Sequence, residues 1–258
     1  MAIGTRENDT QSTERVEQVK IEQVKKQKIQ IRRANDRGGF DHGWLKTEHT
    51  FSFGQYQDPD WMGFGTLRVI NEDLIKPHMG FGEHPHRDME IITYPVSGAV
   101  RHRDSLGHEE DIVPGMIQHM SAGSGIRHSE FNPLGQTTHM LQIWIEPREL
   151  GVEPGHQSRG FPIQDEQGQL HLLASPDGAQ GSMVIQQDAW VSAGVFEQGA
   201  SIDLSSMRAS KVWIQVIHGQ LSAEGYEAHA GDGIAINGFD SIELSFDESS
   251  EIMVFELA

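Results

Sequence analysis

The chain has 258 residues, 20 basic against 38 acidic, a formal charge of −18, and no cysteine. That length allows one large domain or two of ordinary size, and the charge disfavours nucleic-acid backbones and anionic membrane surfaces. Without cysteine there are no disulfides, thiolate zinc sites, iron–sulfur clusters or cysteine nucleophiles, so any metal must be held by histidine and carboxylate.

Residues 1–28 stand apart in texture. The run STERVEQVKIEQVKKQK is dominated by Glu, Gln, Lys and Val, and EQVK occurs at Glu17–Lys20 and again at Glu22–Lys25. Ser12 or Thr13 offers a helix cap, and Val16, Val19 and Val24 form a thin apolar stripe. The expectation is a charged extension, either a short helix or a disordered tail. It lacks the apolar core of a signal peptide, and the chain has no run of 18 apolar residues, so a cytoplasmic protein is expected.

From Ile29 the chain becomes a series of short apolar runs punctuated by Gly, Asp, Asn and Pro: HTFSF, GTLRVI, EIITYPV, GAVRHR, MLQIWI, SMVIQQ, KVWIQVI, DGIAI and EIMVFEL. This spacing predicts strands of an all-β sandwich or barrel. The chain also repeats itself loosely. EIITYPVSGAV, an acidic turn and DIVPGMIQHMSAG in the first half answer KVWIQVIHGQL, an acidic turn and AHAGDGIAING in the second, so that Gly98 pairs with Gly219 and Gly115 with Gly231. Two similar β domains are expected, at 29–150 and 151–258, joined through the Pro-, Gly- and charge-rich stretch 147–169.

Chemistry concentrates in FGEHPHRDME. On a strand, residues i and i+2 face the same side, about 6.5–7 Å apart, and two imidazoles so placed can lean onto one ion. His84 and His86 have this relation, and Pro85 between them marks an edge or bulge. The stretch SGIRHSEFNP supplies a second such pair, His128 and Glu130. On neighbouring strands the two pairs would bring three imidazoles and one carboxylate to a point, a donor set suited to Fe, Mn, Ni, Cu or Zn. Ten of the 14 histidines precede residue 140. His49, His102, His108, His119 and His139 read as hydrogen-bonded or solvated residues. Aligning Gly219 to Gly98 sets Ser205 and Met207 against His84 and His86, so a metal belongs to the N-terminal domain alone.

Gly80, His84, His86, Glu90, Gly98 and Pro114-Gly115 resemble the two sequence motifs of the cupin superfamily. The segments RANDRGGFDHGWLKTEHTFSFGQYQDPDWMGFGTLRVINEDLI, FGEHPHRDMEIITYPVSGAVRHRDSLG and MSAGSGIRHSEFNP together resemble the pirin family, in its bacterial quercetin 2,3-dioxygenase-like members. The resemblance implies two cupin barrels face to face, with one divalent transition metal in the first. Iron is expected first, with Mn, Ni, Co, Cu or Zn compatible, held by His84, His86, His128 and Glu130. Glu90, a ligand in the first cupin motif, is expected instead to orient a ligand imidazole, because pirins bind through the later glutamate. The activity implied is the O2-dependent opening of the central ring of a flavonol such as quercetin, giving a depside and carbon monoxide, with Glu130 as both ligand and proton acceptor. Phe51, Phe53, Phe64 and Trp144 are candidates for the pocket wall. The partners expected are a small aromatic substrate and O2, and from the charge no direct nucleic acid and no membrane; the oligomeric state is open, with a monomer favoured. The alternative is a metal- and redox-sensing regulator that binds a protein partner, with the N-terminal extension as the docking element.

Overall fold

The computed structural model describes residues 28–238 and 241–258, so the expected extension lies outside the described residues apart from Lys28. Among the described residues the chain forms 22 strands in four sheets and two three-residue 3-10 turns, Ala34–Asp36 and Ala179–Gly181. The strands pair as two seven-stranded and two four-stranded sheets, one of each in each half, which makes two cupin barrels.

The repeat is physical. In the first half the large sheet runs, in spatial order, Gly155–Gly160, Met116–Ser121, Glu90–Ser97, Thr138–Ile145, Leu67–Ile75, Leu45–His49, Gly38–Asp41. In the second it runs Lys28–Arg32, Gly233–Asn237, Lys211–His218, Ser250–Leu257, Ala189–Phe196, His171–Ser175, Met183–Val184. The glycines matched in sequence sit at matched turns: Gly98 and Gly219 have φ of 84° and 83°, a region that L side chains avoid. At both, a Cβ would come within 3 Å of the strand that follows in the sheet, at Thr138 and Ser250.

Two strands cross between the halves. Lys28–Arg32, which the sequence groups with the N-terminal domain, pairs antiparallel with Gly233–Asn237 at the edge of the C-terminal sheet. Its neighbours are fixed there by Arg33 to Asp232 at 2.7 Å and by the Ala34 N–H donated to Asp232. In the other direction, Gly155–Gly160, grouped with the C-terminal domain, pairs with Met116–Ser121 and completes the N-terminal sheet. Edge strands bind through main-chain bonds that any extended segment of suitable register can make, so sequence texture does not reveal which sheet they join.

The two large sheets pack against each other. Their facing sides form one core of Phe51, Ile70, Ile92, Tyr94, Leu141 and Ile143 against Val191, Trp213, Met253 and Phe255. Trp213 is fully buried, with the rings of Phe51, Trp61 and Phe64 at 4.8, 5.9 and 5.7 Å from its own. The inside of the second barrel is filled by a separate apolar cluster that includes Phe196, Val212, Ile214, Leu244, Phe246 and Val254. The first barrel is not filled in this way; its interior carries polar side chains and a cavity.

One predicted strand is mostly a loop. Of HTFSF only His49 is strand, because Ser52 turns the chain: its hydroxyl donates to the Asp58 carbonyl and accepts from the Asp58 N–H.

A candidate metal centre in the N-terminal barrel

His84 and His86 lie on the strand Gly80–His86, and His128 and Glu130 on Ile126–Phe131; the two strands pair antiparallel with His128 opposite His84. The register slips by one residue between His128 and Glu130, leaving an extra residue on the His84 strand. The three imidazoles converge, with ring centroids 4.4 to 4.8 Å apart and one nitrogen of each within 4.8 Å of the others.

Their hydrogen bonds leave lone pairs free. His84 Nδ1 lies 2.7 Å from the Gly82 carbonyl, which can only accept, so the proton sits on Nδ1 and Nε2 is left for a ligand. His128 is 2% exposed, yet neither ring nitrogen has a hydrogen-bond partner. A buried unpartnered imidazole is costly unless something occupies the gap. Burial, with the nearby histidines adding, lowers the pKa of His86 to about 4 and of His128 to about 3. Both are neutral at pH 7, the form that binds a cation. These orphaned nitrogens fit a divalent metal.

Glu130 is 3% exposed and tethered on both oxygens, Oε1 by the Thr93 hydroxyl and Oε2 by the Gln142 amide, each at 2.8 Å. It closes within 4.8 Å on His128 and on His102, its cross-strand neighbour. The sequence treats His102 as an ordinary residue; the fold buries it beside the site, with its ring 5.4 Å from that of His128.

Glu90 requires a correction. Its carboxylate is taken up by His119 Nε2 at 2.8 Å, the Ser121 hydroxyl at 2.6 Å and the Gln186 N–H at 3.1 Å, and not by an imidazole of the expected set. Alternation along Glu90–Ser97 explains this. Glu90 shares a face with Ile92 and Tyr94, which point into the core between the sheets, whereas Thr93 points to Glu130. Glu90 therefore ties the barrel with the histidine cluster to the second half.

The site opens into a cavity of about 430 Å³, within the ~300–1,000 Å³ range usual for small-molecule pockets. Its aromatic wall is continuous: Phe40 to His49 at 5.3 Å, His49 to Phe53 at 5.1 Å, Phe53 to Trp144 at 5.3 Å and Trp144 to His86 at 4.9 Å. Of the four expected wall residues, Phe53 and Trp144 line the cavity, while Phe51 and Phe64 pack on Trp213 between the sheets.

Thr47, Asn71 and Asp73 also line the cavity and were not singled out from the sequence. Asn71 and Asp73 stand at i and i+2 on Leu67–Ile75, the same parity signal that marks His84 and His86. Burial, with the negative charges of Glu130 and Glu72 adding, raises the pKa of Asp73 to about 7.

Two cupin barrels with a histidine cluster at the floor of an aromatic cavity in one of them define a metal-type bicupin. The chain belongs to the pirin family. The Pirin profile matches residues 29–145, and one described as "Quercetinase C-terminal cupin domain" matches residues 172–257. A protein of Escherichia coli (strain K12) named quercetin 2,3-dioxygenase is 43% identical over 229 residues, 88% of this chain and 97% of its own. A pirin-like protein of Caulobacter vibrioides is 41% identical, over 86% and 96% of the two chains. The crystal structure of the bacterial pirin YhhW from Escherichia coli in complex with nickel(II) superposes with a TM-score of 0.85 at 43% identity, covering 89% of this chain and 99% of that one.

Proposed function

We propose that the protein is a metal-dependent dioxygenase that opens the central ring of flavonols such as quercetin with O2, giving a depside and carbon monoxide. The observation that carries this reading is the placement of His128, buried and unpartnered, at the floor of an aromatic-walled cavity. The relatives named quercetin 2,3-dioxygenase support the substrate class.

His84, His86, His128 and Glu130 would hold one divalent metal; the nickel-bound relative supports a divalent ion, and iron is proposed as the native one. Bound there, it would act as a Lewis acid on a hydroxyl of the substrate. The chain's own residues do the rest. Phe40, Phe53, Phe81 and Trp144 hold a flat aromatic substrate by face and edge contacts and exclude water around it. Glu130 receives the hydroxyl proton, since each of its oxygens accepts only one tethering hydrogen bond and keeps a lone pair. Thr93 and Gln142 hold that carboxylate in place as it gains the proton. Asp73, raised to about 7, is a second proton-holding group on the same wall.

The test is incubation of metal-loaded protein with quercetin in air, following loss of flavonol absorbance and release of carbon monoxide, with Fe, Mn, Ni, Co and Cu each tried. Turnover that falls at least a hundredfold in His128→Ala supports the reading. No turnover above the His128→Ala background with any of these metals overturns it for this substrate.

A further inference from the structure

A second cluster of donors adjoins the first at His102, which also closes within 4.8 Å on His128 and Glu130. His102 and Asp104 stand at i and i+2 on the strand Val100–Asp104. His156 stands on the crossing strand Gly155–Gly160, and Glu110 on Glu109–Ile112. One ligand atom each from His102, Asp104 and His156 lies within 4.8 Å of the others. The side chains of His102, Asp104 and His156 are 1%, 0% and 5% exposed and that of Glu110 28%, so three of the four are buried and the fourth closes the cluster from its rim.

Protons alone leave this cluster unsatisfied. Asp104 is well used: Oδ1 accepts the backbone N–H of Leu106 and of His108, while Oδ2 faces His102 Nε2 at 3.2 Å and the His108 ring at 3.0 Å. Yet His156 Nε2 is buried with no hydrogen-bond partner. His156 Nε2 approaches Glu110 Oε1 to 3.3 Å without making a hydrogen bond to it. Neighbouring ligand atoms around a tetrahedral zinc, with bonds of about 2.0–2.1 Å, lie about 3.3 Å apart. The His102–Asp104 and His156–Glu110 spacings of 3.2 and 3.3 Å match that edge.

We propose that His102, Asp104, His156 and Glu110 form a second cation site, of the mixed imidazole–carboxylate type that takes zinc. Four protein ligands would close a tetrahedral ion, so the site is structural. Its ligands come from three strands, two of them in the small sheet and the third an edge strand supplied from within the linker stretch. The ion would therefore fasten that crossing strand to the barrel that carries the first centre, and it would stabilise the folded chain by mass action.

The test is zinc counting on the full-length protein after loading and gel filtration, in wild type, His128→Ala, His156→Phe and the double variant. His156→Phe keeps a flat ring in the stack with His102 and His108, whose centroids lie 4.9 and 4.6 Å away. The expected counts are two ions per chain in wild type, one in each single variant and none in the double. Zinc should also raise the melting temperature of His128→Ala but not that of the double variant. A wild type that holds one ion, all of it lost in His128→Ala, overturns the proposal. So does a second ion that survives His156→Phe. If His156→Phe does not fold, the comparison of wild type with His128→Ala decides alone.

Discussion

At the scale of single residues, the strands' alternation points to most of the candidate site. His84, His86, His128 and Glu130 were recognisable because i and i+2 share a face, a rule that survives any strand twist. Glu90 was placed from the cupin motif and not from alternation; it lies on the next strand, Glu90–Ser97, on the face it shares with Ile92 and Tyr94. Asp73 carries the same parity signal with Asn71 and was readable in principle. Its protonation state was not, since it depends on burial and on Glu130, 57 residues away in sequence. Asp73 ionises near pH 3.8 in an unfolded chain and at about 7 in the fold. Between those values the folded chain keeps a proton that the unfolded chain has released, so stability falls as pH rises, by at most about 1.4 kcal/mol per pH unit, and levels off above about 7. In metal-free protein, the melting temperature of Asp73→Asn relative to wild type is expected to be higher at pH 8 than at pH 5. Equal differences at the two pH values would show that Asp73 titrates as an ordinary carboxyl.

At the scale of elements, the four ligand candidates depend on one strand pair with a slipped register. Gly80 makes that pairing close. A Cβ at this position would stand 2.2 Å from the Glu130 carbonyl oxygen and 2.6 Å from Phe131 Cα, both backbone atoms that cannot swing aside. Gly80→Ala is therefore expected to push Ile126–Phe131 away from Gly80–His86 and to weaken metal binding at least tenfold, with the C-terminal barrel unaffected. Calorimetric titration with nickel(II) reads this directly; unchanged affinity would mean that the pair adjusts without moving Glu130. The predicted strands that hold, such as EIITYPV, KVWIQVI and EIMVFEL, are central and buried on both faces, and their continuous apolar runs say so. HTFSF fails because a side-chain turn at Ser52 competes with the ladder.

At the scale of the whole molecule, the halves are joined by the apolar contact around Trp213 and by a few polar ties through it. The Tyr94 hydroxyl, on the first barrel, donates to Glu251 of the second at 2.5 Å, and the Glu90 carboxylate receives the Gln186 N–H. Burial and the adjacent Glu251 charge raise the Tyr94 pKa well above its usual value, so it remains a donor throughout the working pH range. Tyr94→Phe removes one hydrogen bond to a charged acceptor and is expected to cost about 1–3 kcal/mol. Chemical denaturation should show this as an earlier midpoint in a transition that stays single, because the shared core couples the barrels. A split into two transitions would show that they unfold independently. The fold class and the doubling were legible from strand spacing and from Gly98 and Gly219; which face of the second barrel meets the first was not, since both faces of its central strands are apolar.

The exchange of edge strands has a consequence for how the chain can be made. Residues 28–32 leave the ribosome some two hundred residues before their pairing partners at 233–237. The barrel with the histidine cluster, in turn, is not closed by residues 29–150 alone: it waits for residues 155–160, inside the linker stretch. A gene cut at the expected domain boundary, between residues 150 and 151, would thus give two fragments that each hold the other's border. A circular permutant that opens the chain between residues 161 and 170 would instead keep the first barrel's border strand with it.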